Sequence, residues 1–392
     1  MQQWWLKFRQ MENRVLDFFV KHNILIIIAI ATVLALVVRL KFRQFESGDF
    51  IVFLQPWFDE LRAGGGLPAI ANYTGDYNMP YVTILALLTY LPFSALTSIK
   101  LVSIVFDFVL AISAAYLVYT VAAKNRKMLA AGTYMVMLFL PQVFLNSACW
   151  GQCEAIYASF CILALTFLIK EKYWLSFILL GVACAFKLQF IFILPIFVIV
   201  YLMKRKFSIL NFLIIPVVNL ILCIPALLMG KPLIDCLTVY LGQTQTYAEH
   251  TGLNFLNFYT IFDTGAEYWN LVGTILAMMI CVGTVFWIIN HKVELNNQKI
   301  LLLATWFVVI ITFFLPGMHE RYLYVGEILA IIYYIVYRKQ GVLALAISVA
   351  AWITYAHYLF GLEYNPLPYA LVLVAVVAKY TRDVFAELGA SR

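Results

Sequence analysis

Apolar stretches of roughly helical length, parted by short polar connections, run almost the whole way along this chain. Twelve stand out, at approximately residues 23–40, 99–121, 128–145, 155–169, 173–186, 188–203, 208–229, 268–290, 299–315, 320–337, 341–360 and 366–380. A helix needs ~20 apolar residues to cross a bilayer, so several of these are short and their boundaries soft. A further stretch, Pro80–Ala95, is framed by Pro80 and Pro92 and reads as a segment that enters one leaflet and returns. No Gly/Ser linker, low-complexity tract, soluble-domain pattern or internal repeat interrupts the series. The pattern predicts one all-α polytopic membrane domain over residues 1–392, a bundle of about 12 helices (11–13).

Basic residues orient the bundle. With Pro80–Ala95 re-entrant, nineteen of the 27 Lys and Arg fall on one side, in residues 1–22, 124–127, 170–172, 204–206, 291–299, 337–340 and from Lys379 onward. Positive residues in short loops mark the cytoplasmic side, which predicts both termini inside. The opposite face is then built from 41–98, 146–154, 230–267, 316–321 and 361–365, and it holds thirteen of the 20 acids when Glu327, just inside the following apolar stretch, is counted with it. Residues 41–98 and 230–267 are its two large loops, the first carrying interfacial helices. Residues 1–22, with Trp4, Trp5, Lys7, Arg9, Arg14 and Lys21, read as a cytoplasmic amphipathic helix on the membrane rather than a signal peptide.

Composition agrees. Only 12% of residues are charged and 64% are hydrophobic, against about 25% charged in soluble domains. The net charge of +7 follows from the inner loops and does not imply nucleic-acid binding. Seven scattered cysteines show no metal-ligand spacing; Cys149 and Cys153, four apart, leave open a disulfide beside the reading as buried packing residues.

Candidate chemistry collects on the outer face. In Leu315-Pro316-Gly317-Met318-His319-Glu320-Arg321-Tyr322, three ionisable side chains crowd against hydrocarbon after a Pro–Gly break, tolerable only where irregular backbone lines a cavity. The Arg321 guanidinium suits a phosphate bidentately, or Glu320 neutralises it as a structural pair. Asp49 precedes an interfacial helix over Phe50–Leu61. Its carboxylate either caps that helix or, shielded with a raised pKa, serves as a general base. Trp150, Gln152 and Glu154 offer an apolar platform and hydrogen bonds to a polyhydroxy ligand, or form an ordinary helix-entry turn. Lys187 either snorkels or meets an anion. Asp107 reads as a buried anchor. No nucleotide loop, HExxH motif or nucleophile elbow occurs, so an activated substrate has to arrive through the membrane, as a polyprenyl phosphate does.

Taken together, Met318-His319-Glu320-Arg321-Tyr322 after its Pro–Gly break resembles the signature of bacterial GT-C membrane glycosyltransferases, relatives of the GPI mannosyltransferase that adds the second mannose. Ser47-Gly48-Asp49 with Pro56-Trp57, Gly75-Asp76-Tyr77 with Pro80-Tyr81, Trp150-Gly151-Gln152, Phe186-Lys187-Leu188-Gln189 and the Lys100 to Asp107 spacing extend the likeness from residue 47 to 322. Glu154 departs from it, standing where the pattern has Asp. The resemblance implies transfer of a sugar, mannose by the family's name, from a polyprenyl-phosphate donor to a glycan, glycolipid or cell-envelope polymer. The reaction would invert configuration at the extracytoplasmic face of a plasma membrane. It implies Asp49 as base, Arg321, His319 and Lys187 on the donor phosphate, and Trp150, Gln152, Glu154, Asp76, Tyr77, Gln189, Glu320 and Tyr322 around the substrates. No cofactor or metal is implied. A lipid-linked glycan flippase and a non-catalytic partner of an envelope enzyme are the competing expectations.

Overall fold

The computed structural model describes residues 2–246, 250–262 and 266–390. All twelve predicted apolar stretches are helical. Six helices are long and apolar enough to cross a membrane, or seven if the bent pair Arg126–Phe139 and Pro141–Trp150 makes one span. The protein is therefore an all-α polytopic membrane protein. Leu271, Met278, Val282 and Phe286 on the Ala266–Asn290 helix are exposed, as expected where lipid rather than water is the solvent. The Asn297–Phe314 helix is buried over most of its surface and forms a central post. An apolar face all round a helix requires such burial. Around this post pack Tyr324–Tyr337, Leu194–Lys204, Ala266–Asn290 and Pro366–Gly389.

Three boundaries differ from expectation for identifiable reasons. The first helix runs from Gln2 to Phe42 with non-helical backbone at His22, so the amphipathic segment 1–22 continues into the first crossing. Residues 128–145 do not form one helix. Pro141 lacks an N–H and forces Leu140 into extended backbone (φ −65°, ψ 120°), bending the pair by 51°. The stretch 320–337 begins as a helix only at Tyr324, because Gly317 (φ +71°) and the short strand Met318–His319 occupy what precedes it.

Short irregular pieces then shape the end of the bundle that carries Asp49 and Arg321. Met79–Leu88 spans ten residues, ~15 Å of helix, about half the hydrocarbon thickness. Its N-terminus is capped by Asn78, whose Oδ1 accepts from Met79 N at 2.9 Å. π-helical turns over Phe50–Leu54 and Leu145–Trp150 follow Asp49 and end at Gly151 (φ +79°), respectively. Such turns are rare and cluster at functional sites. Gly252–Leu253 pairs in parallel with Met318–His319, and Glu320 N donates to Leu253 O at 3.2 Å. This small sheet satisfies backbone that no helix can. Residues 247–249 and 263–265 of the second large loop lie outside the described residues.

Candidate active site

Asp49, Trp150, Gln152 and Arg321 come from three distant parts of the chain and meet at one carboxylate. Asp49 Oδ2 accepts from Trp150 Nε1 at 2.9 Å, Gln152 Nε2 at 2.7 Å and Arg321 Nη1 at 3.2 Å. Asp49 Oδ1 accepts from the Tyr358 hydroxyl. The carboxylate makes no capping bond to the helical turn that follows it. Ser47 takes that part, accepting from Phe50 N at 3.2 Å while its own hydroxyl donates to Trp150 O at 2.8 Å. Ser47 thus fastens the two irregular turns to each other.

The electrostatics correct one expectation. Burial raises the proton affinity of Asp49, but the Arg321 charge and the Tyr358 and Trp150 donors more than offset it. The carboxyl is held below its ordinary range, not above it, and is ionised at neutral pH.

Arg321 is shared between two acids. Its Nε lies 3.1 Å from Glu154 Oε1, angled as an ion pair rather than a linear hydrogen bond, and Glu154 also pairs with Lys187. Glu154 therefore binds cations, and its extra methylene relative to Asp does not cost it this contact. Glu320 is not the ion-pair partner of Arg321. It is buried, lies 3.5 Å from His319 Nδ1, and faces a narrow crevice with Glu327, Tyr324, Thr354 and Tyr355. That crevice holds about 20 Å³, room for one water. Burial pushes the Glu320 carboxyl up to about 7.

Two more roles change. Burial and the neighbouring Arg321 charge hold His319 neutral at physiological pH, so it can donate a single N–H to a phosphate but adds no charge. Trp150 is not an open platform. It is 1% exposed, stacked on Tyr358 (4.4 Å between centroids), edge-on to Tyr355 and covered by the Arg321 guanidinium at 5.1 Å. Gln152 spends both ends of its amide, accepting from Tyr77 OH at 3.1 Å while it donates to Asp49. Trp150, Gln152 and Tyr77 thus hold the carboxylate in place.

Other candidates stand farther out. Tyr322 contacts the His319 ring at 5.2 Å. Asp76 is exposed, and Gln189 is buried; neither is among the partners of Asp49, Glu154 or Arg321. Asp107 is an anchor, as expected. It pairs with fully buried Arg39 at 2.7 Å and accepts from Ser147 of the π-helical turn. Lys100 does not join it, donating instead to the Phe42 and Phe45 carbonyls. All seven cysteines are free.

Sequence reading missed Tyr358. It lies inside an apolar stretch near its C-terminal end, and nothing distinguishes it from the other 23 tyrosines of the 24 in the chain. Ser47 stands out in the sequence only as a neighbour of Asp49.

Asp49, Glu154, Arg321 and Lys187 carry two negative and two positive charges within one hydrogen-bonded cluster. Side-chain exposure of 18% at Asp49 and 13% at Arg321 leaves that cluster reachable. An anion can displace either carboxylate from Arg321, and the displaced carboxylate then becomes more basic. Among the described residues, no group of three or more His, Cys, Asp or Glu is placed to hold a metal ion. No protein-family model matches the chain, and no curated protein matches it.

Proposed function

We propose that the protein is a membrane glycosyltransferase that moves a sugar from a polyprenyl-phosphate carrier to an envelope glycan or glycolipid. The observation that carries this reading is Arg321 bridging Asp49 and Glu154 beside Lys187. A phosphate-binding cation is thereby placed against a potential base.

The donor phosphate takes Arg321 from Asp49, with Lys187 and a neutral His319 N–H as further contacts. Losing that cation and gaining a nearby anion raises the proton affinity of Asp49 at the moment the substrate arrives. Asp49 then accepts the proton of the acceptor hydroxyl while its oxygen bonds to the anomeric carbon. The anomeric C–O bond to phosphate breaks with its electron pair on the phosphate oxygen, and configuration inverts. Arg321 stabilises the leaving charge. Before donor binding the four cluster charges balance. With a singly charged phosphodiester bound the cluster carries one net negative charge, and the reaction conserves it: as Asp49 takes the proton, its charge passes to the departing phosphate, where Arg321 and Lys187 meet it.

The finer topology belongs to the same reading: twelve crossings, both termini cytoplasmic and the cluster facing outward from a plasma membrane. The bias of basic residues supports it. Mannose is the sugar the family likeness suggests. Purified protein in liposomes, offered polyprenyl-phosphate sugars and envelope extract, is expected to release the lipid phosphate and extend a glycan. Retention of every sugar on its carrier would overturn the proposal.

A further inference from the structure

A second, open groove adjoins the cluster. It holds about 550 Å³ and runs between the Thr251–Phe262 segment on one side and the end of the Gly341–Phe360 helix with the turn beyond it on the other. Pockets of ~300–1,000 Å³ are the size that takes a small ligand or part of a larger one. Its walls touch the base through two short routes. His357 lines it and precedes Tyr358, whose hydroxyl bonds Asp49. Asn254 lines it and bridges to His319 across the small sheet.

The lining has a definite chemistry. Phe262, Tyr364 and His357 supply aromatic rings, and Tyr364 and His357 pack edge-on at 5.4 Å. Asn254 and Thr251 supply amide and hydroxyl groups. His357 Nδ1 lies 2.7 Å from Leu362 O, which fixes the tautomer and leaves Nε2 as an acceptor. Asn254 is exposed at φ +55°, a conformation Asn adopts more readily than most residues, and among the described residues its amide has no hydrogen-bond partner. Among the described residues, no Lys, Arg, Asp or Glu lines the groove.

We propose that this groove holds the acceptor, and that the segment it recognises is an uncharged glycan rather than a phosphate-bearing polymer. Aromatic faces match the C–H faces of pyranose rings, while the amide, hydroxyl and imidazole nitrogen match their hydroxyls. A polyanion would find no cation there. The assignment rests on the glycosyltransferase reading, which calls for an acceptor hydroxyl at Asp49.

The test is saturation-transfer NMR on the full chain in nanodiscs with mannotetraose, maltotetraose, chitotetraose and short poly(glycerol phosphate). At least one neutral tetrasaccharide is expected to bind, about tenfold more weakly in Tyr364→Ala and in Asn254→Gly, and undiminished in Asp49→Asn. Asn254→Gly keeps the positive φ and removes only the amide, so a folding defect is not its expected outcome. Binding by no tetrasaccharide, binding insensitive to both groove variants, or preferential binding of the anionic polymer would overturn the proposal. If the groove variants leave the acceptor KM unchanged while Asp49→Asn abolishes transfer, the groove assignment falls and the transferase reading stands. Oligosaccharide binding that follows the groove variants, with transfer intact in Asp49→Asn, would reject the chemistry and keep the groove.

Discussion

Arg321 Nη1 lies 3.2 Å from Asp49 Oδ2 across 272 residues of chain, and that contact joins the segment after the first helix to the Pro–Gly break far downstream. The cation that would bind a phosphate and the carboxylate that would take a proton are in direct contact, so each sets the other's strength.

Arg321→Ala is expected to weaken binding of a polyprenyl-phosphate sugar by at least tenfold, since a charge-assisted contact contributes ~1.5–3 kcal/mol. Asp49 and Glu154 would then lack their shared cation, and thermal stability in detergent should fall as well. Isothermal titration with the lipid donor separates the two effects. Unchanged donor affinity would remove Arg321 from phosphate recognition.

Tyr358→Phe deletes one donor to Asp49 and little packing. That donor helps hold the Asp49 carboxyl below its ordinary value. Transfer needs ionised Asp49, so activity declines as pH falls through its pKa. In the variant the pKa is higher and the acid limb of the pH–rate profile moves to higher pH. A profile superimposable on the parent's would show that the hydroxyl does not act through Asp49.

Glu320 gives a stability signature. Its carboxyl is raised from 4.5 to about 7 in the fold, chiefly by burial. Between those values the folded protein keeps a proton that the unfolded chain releases, so stability is full below pH ~4.5 and declines as pH rises through about 7. Above that it is flat with respect to this group. Melting curves in detergent from pH 5 to 8 should show this decline in the parent and a weaker one in Glu320→Gln. Equal slopes would exclude Glu320 as the cause.

Asp107→Asn strands the Arg39 guanidinium, which is fully buried and, among the described residues, otherwise hydrogen-bonded to the Ala35 and Leu138 carbonyls. Removing one partner of a buried pair costs about 3–5 kcal/mol. It should also loosen the π-helical turn that bears Trp150, because Ser147 bonds to Asp107. A large fall in melting temperature is expected, with activity declining in parallel. A melting temperature within a degree or two of the parent would contradict the anchoring role.

The helical stretches were legible because a bilayer demands long apolar runs whatever the tertiary packing. The breaks were harder to read. Pro141 and Gly317 marked two of them, yet only the structure reveals that Leu145–Trp150 winds as a π-helical turn and that residues 252–253 pair with 318–319. At the site, Asp49 and Arg321 announced themselves as charges beside hydrocarbon, and Trp150, Gln152 and Glu154 as a polar run at a helix entry. Tyr358 carried no such mark, since a hydroxyl among tyrosines of an apolar helix looks like any other. The sign of the Asp49 shift was also illegible, because burial and three-dimensional partners pull in opposite directions and only geometry decides between them.

The central claim is that Asp49 accepts the acceptor's proton while Arg321 holds the donor phosphate. Its most direct measurement is sugar transfer by Asp49→Asn in proteoliposomes, with binding of the polyprenyl-phosphate donor followed in the same preparation. The account predicts donor binding equal to or tighter than the parent's, with transfer lowered by at least ~10²-fold. Transfer near the parent's rate, in a variant that still binds donor, would contradict it.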